Sequence, residues 1–407
     1  MAMSKNPGNS GNSRSGMLEK VITSARMAIM AIDSGSVTLD DQLDRTPEDC
    51  RRILEHLLMQ FYRYRKSIRR AWGKFCRKEP SPSIAALLDA AVTQCLFQNQ
   101  LNPASVVNVA VMLARSDHAD KFVNAVLRSV LREGFTPPEK AQDILPDGVL
   151  KRWRKSFPAE TVEDFAALFL KKPEFTFRLC RDARIPDDCR EVTAYEPFRF
   201  ACGTPRKILD SPEFRRGEYY IQDPAASMAA ALAKEVLPKC VSLIDICAAP
   251  GGKTLMAAEL LAKGAKVTAA DISAKRQELT RENFRLRGVA AQVVTAKPEE
   301  LTGSYDFVIA DVPCSNSGVF RHRPDALWRF SEKSLKEVMK VQGKIIPEAA
   351  RLTAPGGYLL ISSCSIEADE NEALGKKLAG FKLLTSRILL PTAENDGAFA
   401  ALWQKLP

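Results

Sequence analysis

Apolar positions follow three successive rhythms along the 407 residues. From Met17 to Glu133 they recur every three or four residues, the spacing of helices that bury one face. Leu57, Phe61, Tyr64, Ile68 and Trp72 make one such stripe and are expected to face a core. Further helices are predicted over "SIAALLDAAVTQCLFQNQ", "SVVNVAVMLARS" and "KFVNAVLRSVLREG", the last stopped by Gly134. "FTPPEK" then reads as a linker. From Lys151 the pattern is mixed, with short helices at "GVLKRWRKSFP" and "VEDFAALFLKK" and a strand at "FTFRLC". Tyr219 to Pro224 lead into an Ala-rich helix, "AASMAAALAKEVL".

From Val241 strand, loop and helix alternate regularly. Strands are expected at "VSLIDIC", "KVTAAD", "AQVVTA", "YDFVIAD" and "GYLLISSC", and helices over Gly252–Ala262, Ala274–Arg287, Lys333–Leu352 and Asp369–Leu378. Short apolar strands separated by helices imply a parallel sheet covered on both faces. "FKLLTS" and "AFAALWQK" are placed as an antiparallel pair at its edge. The expected organisation is a tail over 1–16, a helical domain over 17–140, a small α+β connector over 141–235 and an α/β sheet domain over 236–407.

Charge sharpens this picture. Lys and Arg number 59 against 49 Asp and Glu, a net +10 that favours an acidic partner such as nucleic acid. Arg51 to Lys78 hold ten Lys/Arg and one acid, Glu55, with Arg63, Lys66, Arg70, Lys74 and Arg77 along one side. With so little compensating acid, contact with a phosphate backbone is preferred over a merely solvated face. The ten cysteines form no CxxC pair or regular framework, which points to a reducing, cytoplasmic setting and no zinc site. The start, "MAMSKNPGNSGNSRSG", lacks an apolar stretch, so a loose tail is expected there, and no segment has the length of a membrane helix.

In doubly wound sheets, ligands sit outside the carboxyl ends of the strands, near the reversal of strand order. Those ends carry the "CAAPGG" loop, Asp271, Asp311 with Pro313-Cys314 beyond it, and Cys364. The Gly252-Lys253-Thr254 tail mimics a phosphate-binding P-loop, but the glycine needed five positions earlier is Cys247. Asp271 instead ends the second strand 20 residues after Gly251, where a carboxylate grips ribose hydroxyls. A nucleoside held by its ribose is therefore preferred over a triphosphate. Cys314 and Cys364 each stand in a small polar turn, "PCSNSG" and "SSCSIE". Buried cysteines are usually inert, so spacing alone leaves reactive and structural readings of the two equally weighted.

"DICAAPGGKT", "ADIS", "DVPCSNSGVFRHRPDALW" and "SSCSIEADENE" together resemble the RNA cytosine-5 methyltransferases of the Sun/Fmu type. "YYIQDPAASMAA" and "DGAFAALWQK" fit the same pattern. The helical N-terminus, with "KFVNAVLRSVLREG", resembles the antitermination-factor-like RNA-binding domain that precedes such enzymes in bacteria. The resemblance implies a Rossmann-like methyltransferase sheet at the C-terminus, S-adenosyl-L-methionine as cofactor and RNA as partner. Small-subunit ribosomal RNA is the expected target and transfer RNA the nearest alternative, with no membrane, no metal and a monomeric state.

The same resemblance implies Cys364 as the nucleophile that adds to C6 of cytosine, Asp311 as the group at N3, and Cys314 as the thiol that helps release. Cys247, Ala248, Ala249, Pro250, Gly251, Gly252, Lys253, Asp271, Arg276 and Asp311 are the expected cofactor-binding residues. Pro313 and Pro324-Asp325 are expected to shape the loop, and Arg321 to Arg323, "RHR", to meet RNA phosphates or to be a solvated cluster. One departure stands out: after the third strand, where the family carries an Asp toward the adenine, this chain has Thr295-Ala296-Lys297-Pro298. A non-catalytic ribosome assembly factor and a P-loop nucleotide hydrolase are the alternatives.

Overall fold

A computed structural model describes residues 10–98, 102–180, 182–375 and 378–407, with backbone alone at 10–15 and 375. By packing, the chain forms two compact units. The first is helical and takes in the chain up to Lys171 together with Phe320–Arg329; the second takes in Lys172–Val319 and Phe330–Pro407. Phe320–Arg329, placed by the sequence inside the sheet domain, thus folds with the helices. The region expected as a connector divides likewise, its first three helices, up to Leu170, with the first unit and its strands and later short helices with the second.

The helical unit is built from long amphipathic segments with identifiable ends. Ser10–Asp33 is helical, so the expected tail is already ordered from Ser10; residues 1–9 lie outside those described. Ser81 and Asn102 cap the helices Pro82–Phe97 and Pro103–Ala114 through their side-chain oxygens, each followed by a proline that needs no amide partner. Asp120–Glu133 ends at Gly134, where φ is +83°. Leu57, Phe61, Ile68 and Trp72 are buried with Ile22, Ile29, Leu87 and Val123 in one core, and half-buried Tyr64 stacks on Phe97. The last two residues of the helix predicted over "SIAALLDAAVTQCLFQNQ", Asn99 and Gln100, lie outside those described.

The basic helix, Glu48–Gly73, differs from its expected role. Its acids come from other helices: Arg65 pairs with Asp33 at 2.5 Å, Lys66 with Asp147 at 2.6 Å, Arg69 with Asp89 at 2.8 Å, and Arg70 with Asp143 at 2.7 Å. Lys74 pairs with Glu133. Arg63 is only 3% exposed and donates to the carbonyls of Phe169 and Arg321 at 3.0 and 2.6 Å. Much of this charge therefore ties helices together, and a bare phosphate-binding stripe is not what the helix presents.

The second unit holds two sheets. A small antiparallel one runs β2-β3-β1-β4, from β1 Thr176–Leu179, β2 Arg190–Val192, β3 Arg199–Cys202 and β4 Tyr219–Ile221. The larger contains β5 Ser242–Asp245, β6 Lys266–Asp271, β7 Ala291–Thr295, β8 Tyr305–Asp311, β9 Thr353–Ser363, β10 Phe381–Leu389 and β11 Ala398–Lys405. Its order is β10-β11-β9-β8-β5-β6-β7. β5 to β9 are parallel, and β10 and β11 add antiparallel, with β11 inside and β10 at the edge.

Side chains alternate along β8 between two cores. Phe307 and Ile309 pack with Leu243, Leu360 and Leu402, whereas Val308 and Ala310 pack with Ile244, Leu359 and Ile361. A strand covered on both faces must be apolar throughout, as "FVIA" is. The strand order reverses between β5 and β8, so the crevice above their carboxyl ends is the predicted ligand position. Among the described residues, no helix is long and apolar enough to cross a membrane.

Candidate active site

The loop after β5 is held in a tight turn by neighbours on several elements. Gly251 has φ of +100°, and a Cβ there would lie 2.8 Å from Phe284. A Cβ on Gly252 would lie 2.7 Å from Gln222 Nε2 and 3.0 Å from the Tyr220 ring, so Gly251 serves the turn's conformation and Gly252 a close approach. Ala249 N–H donates to Asp271 Oδ2 at 3.2 Å, and Asn283 donates to the Pro250 carbonyl at 2.9 Å. Arg276 donates to the Ala249 carbonyl and lies 3.7 Å from Asp271. Asp271 and Arg276 therefore brace the loop directly. Ala248, Ala249 and Gly252 are buried beneath it, and the helix Gly252–Leu260 points its free N–H groups at the crevice.

The P-loop resemblance dissolves at side-chain level. Lys253 donates to Asp311 Oδ2 at 2.7 Å, and Thr254 donates to Asp245 Oδ2 at 2.6 Å. The lysine and hydroxyl that would hold phosphate and magnesium are thus engaged with carboxylates. Ser362 donates to the other Asp311 oxygen at 2.7 Å. Burial works against the Lys253 charge, but Asp311, with Cys364 and Asp245 nearby, more than offsets it, and the ammonium pKa stands above its usual value.

Asp245, at the end of β5, escaped the reading of strand ends although it heads the "DICAAPGG" stretch. It is fully buried, and this desolvation pushes its pKa up to about 7; the nearby Asp311 charge adds to the rise, while bonds from Thr254 and the Cys247 N–H oppose it. Cys247 is a half-buried thiol held well above its usual pKa, chiefly by desolvation and then by the Asp245 and Asp311 charges. It lies in the loop as predicted but has the character of an inert side chain.

The two cysteines converge from different strand ends. Cys314 follows β8 and Cys364 follows β9, and as free thiols their sulfurs stand 2.9 Å apart. The hydrogen bond to Cys364, then burial, hold the Cys314 pKa well above the normal thiol range, so Cys314 rests protonated. Cys364 also contacts Asn316 Oδ1 at 3.4 Å. Asn316 takes a left-handed φ of +61°, a strained turn that brings Gly318 N–H to the Cys364 carbonyl at 2.9 Å. A Cβ at Gly318 would sit 2.7 Å from that carbonyl oxygen.

Asn316, Ser362 and Asp245 are site residues that spacing alone did not single out. Asp245 follows from the strand-end rule applied to every strand. Asn316 and Ser362 needed the fold.

Other predicted residues fall elsewhere. Arg321 is 7% exposed and Arg323 pairs with Asp40 at 3.4 Å, both within the helical unit. Of "RHR", Arg321 is therefore buried, whereas the Arg323 side chain stays half exposed in a surface ion pair. Asp325 is buried and accepts from Leu39 N–H and Arg329, so "RPDALW" is structural in that unit. After β7, Glu299 is exposed and Glu300 caps Lys297 N–H at 2.9 Å.

Comparison with known proteins bears on both units. Residues 238–382 match the family described as 16S rRNA methyltransferase RsmB/F, and residues 22–132 match the NusB family. A probable ribosomal RNA small subunit methyltransferase B from Bacillus subtilis is 26% identical over 319 residues, 72% of this chain and 71% of that one. The ribosomal RNA small subunit methyltransferase B of Klebsiella pneumoniae (strain 342) is 33% identical over 290 residues, 66% of each chain. The solved structure of PH0851 matches 95% of this chain and 99% of its own with a TM-score of 0.73 at 22% identity, a likeness of fold.

Proposed function

We infer the reaction of this chain from its family: it belongs to the RsmB/F methyltransferases and carries a NusB-family domain ahead of the catalytic one. It methylates RNA, with small-subunit ribosomal RNA as substrate, at C5 of a cytidine flipped into the crevice. The names of its relatives support the substrate. The observation that carries the chemistry is the pair of thiols 2.9 Å apart at two strand ends, beside the Lys253–Asp311 ion pair.

The crevice fits S-adenosylmethionine, which supplies the electrophilic methyl group. Asp271 ends β6 where a ribose would lie, and its carboxylate keeps lone pairs beyond those used by Ala249 and Ser273. Ile272 beside it is 69% exposed, an apolar surface for a purine. Ala249 to Lys253 offer backbone N–H groups to the amino-acid end. Asp245, poised near neutrality, ionises readily beside an ammonium group.

C5 of cytosine is a weak nucleophile until a thiolate adds at C6. Cys364, as the thiolate, forms the C6–S bond, with the Cys314 sulfur 2.9 Å away. The displaced electron pair moves toward N3, where Asp311 presents a proton drawn from Lys253. C5 then takes the methyl group as the C4–N3 double bond re-forms, and the N3 proton returns through Asp311 to Lys253. Once Cys364 is bound in the adduct, the Cys314 proton passes to solvent and the Cys314 thiolate takes the C5 proton. The C5–H electron pair restores the C5–C6 double bond, the C6–S bond breaks, and the Cys364 thiolate is regenerated.

The test is methyl transfer to small-subunit rRNA with nucleoside analysis of the product. 5-Methylcytidine from the wild type and none from Cys364→Ala, with RNA binding retained, is the expected result. Methylation by Cys364→Ala at the wild-type rate removes this mechanism.

A further inference from the structure

The two sulfurs are held by loops that share one neighbour. The helix Ala368–Gly375 places consecutive side chains on them: Glu370 on the Cys314 loop and Asn371 on the Cys364 turn. Glu370 Oε1 accepts from Ser315 N–H at 3.2 Å and from Gln342 Nε2 at 2.6 Å. Gln342, on the helix Glu332–Leu352, also donates to the Pro313 carbonyl at 2.8 Å, so the backbone on both sides of Cys314 is fixed. Asn371 Nδ2 donates to the Ser365 carbonyl at 3.0 Å, and Asn371 Oδ1 accepts from Ser363 Oγ at 3.3 Å. That clasps the residues on both sides of Cys364.

Glu370, Asn371 and Gln342 are all buried, Glu370 at 0% exposure. Burying a carboxylate in place of an apolar side chain is costly, and this one leaves Oε2 without a hydrogen-bond partner. Packing alone gives no reason to keep it. We propose that Glu370 and Asn371 are positioning residues that set the separation of the two thiols, Glu370 (with Gln342) placing Cys314 for release and Asn371 placing Cys364 for addition. Neither touches the reacting atoms. The proposal rests on the covalent reading of the reaction given above.

Adjacent residues on one helix should then fail in opposite directions. With S-adenosylmethionine and small-subunit rRNA, Glu370→Ala should slow turnover about tenfold to a hundredfold, the scale of a misplaced group, while denaturation-resistant protein–RNA adduct accumulates. Gln342→Ala, which keeps the carboxylate, should do the same more weakly, and Glu370→Gln, which keeps an acceptor, should restore most of the turnover. Asn371→Ala should lose turnover and form less adduct than wild type. A merely structural role moves both variants the same way, and that result, or wild-type adduct levels in Glu370→Ala and Gln342→Ala, overturns the proposal. Cys314→Ala is the reference. If it gives adduct and Glu370→Ala does not, the positioning role alone falls; if neither gives adduct, the covalent reading falls and the proposal with it.

Discussion

The helix Glu48–Gly73 and the crevice above β5 and β8 both bury charge, but they close its accounts differently. Along the helix, Arg65, Arg69 and Arg70 each meet an acid from a distant segment. In the crevice, Asp245 and Asp311 crowd toward one ammonium, Lys253, and two thiols face each other with no cation between them. Paired charge reads as architecture. Charge left short of partners is what a site needs, because it can exchange protons and meet a ligand.

Removing a reactive group from the crevice should have the largest effect. Cys364→Ala should lower methyl transfer by at least about a thousandfold, since without the C6 adduct C5 has no route to attack. Thermal unfolding should change little, and a large loss of stability would mean that Cys364 is structural.

Asp245→Asn should reverse the usual outcome of mutating a buried site, making the protein more stable and less able to bind its cofactor. The folded-state pKa of Asp245, about 7, lies above the ordinary aspartate value. Its charge therefore costs stability as pH rises from about 4 to 7, up to about 4 kcal/mol above pH 8. The gain of the asparagine variant should be absent near pH 4 and full at pH 8. Unfolding curves at the two pH values check this; a pH-independent difference contradicts it.

The helix should behave the other way. Asp89→Ala strands Arg69 and Trp72 Nε1, which it now accepts at 2.8 and 2.9 Å, and should cost about 3 kcal/mol in denaturant unfolding. Smallest of all, Arg70→Ala should cost no more than about 0.5 kcal/mol, because the Arg70 side chain is largely exposed. Loss of RNA affinity without loss of stability in Asp89→Ala would show that the helix acts as a binding stripe after all.

What the sequence disclosed follows the range of the interactions involved. Helical periodicity, strand runs and the glycine turn are local, and β5 to β11 appear where apolar runs placed them. Both cysteines were visible as strand-end residues in polar turns, and the strand-order rule alone puts them in one crevice. The acids that neutralise the basic helix were not visible as partners, because Asp33, Asp89, Asp143 and Asp147 reach it only through tertiary packing. For the same reason Arg63 looked like surface and Phe320–Arg329 looked like part of the sheet domain. Ser10–Gly16 read as tail from composition, yet continues a helix whose apolar face begins at Leu18. Glu370 and Asn371 stood inside a quoted motif, but only the fold brings each beside its own cysteine.

The measurement that bears most directly on the two-thiol site uses Cys314→Ala with S-adenosylmethionine and small-subunit rRNA, assayed for a protein–RNA adduct that survives denaturation. The expected result is an adduct that disappears when Cys364 is also replaced. An adduct that persists without Cys364, or none at all while RNA binding is intact, contradicts it.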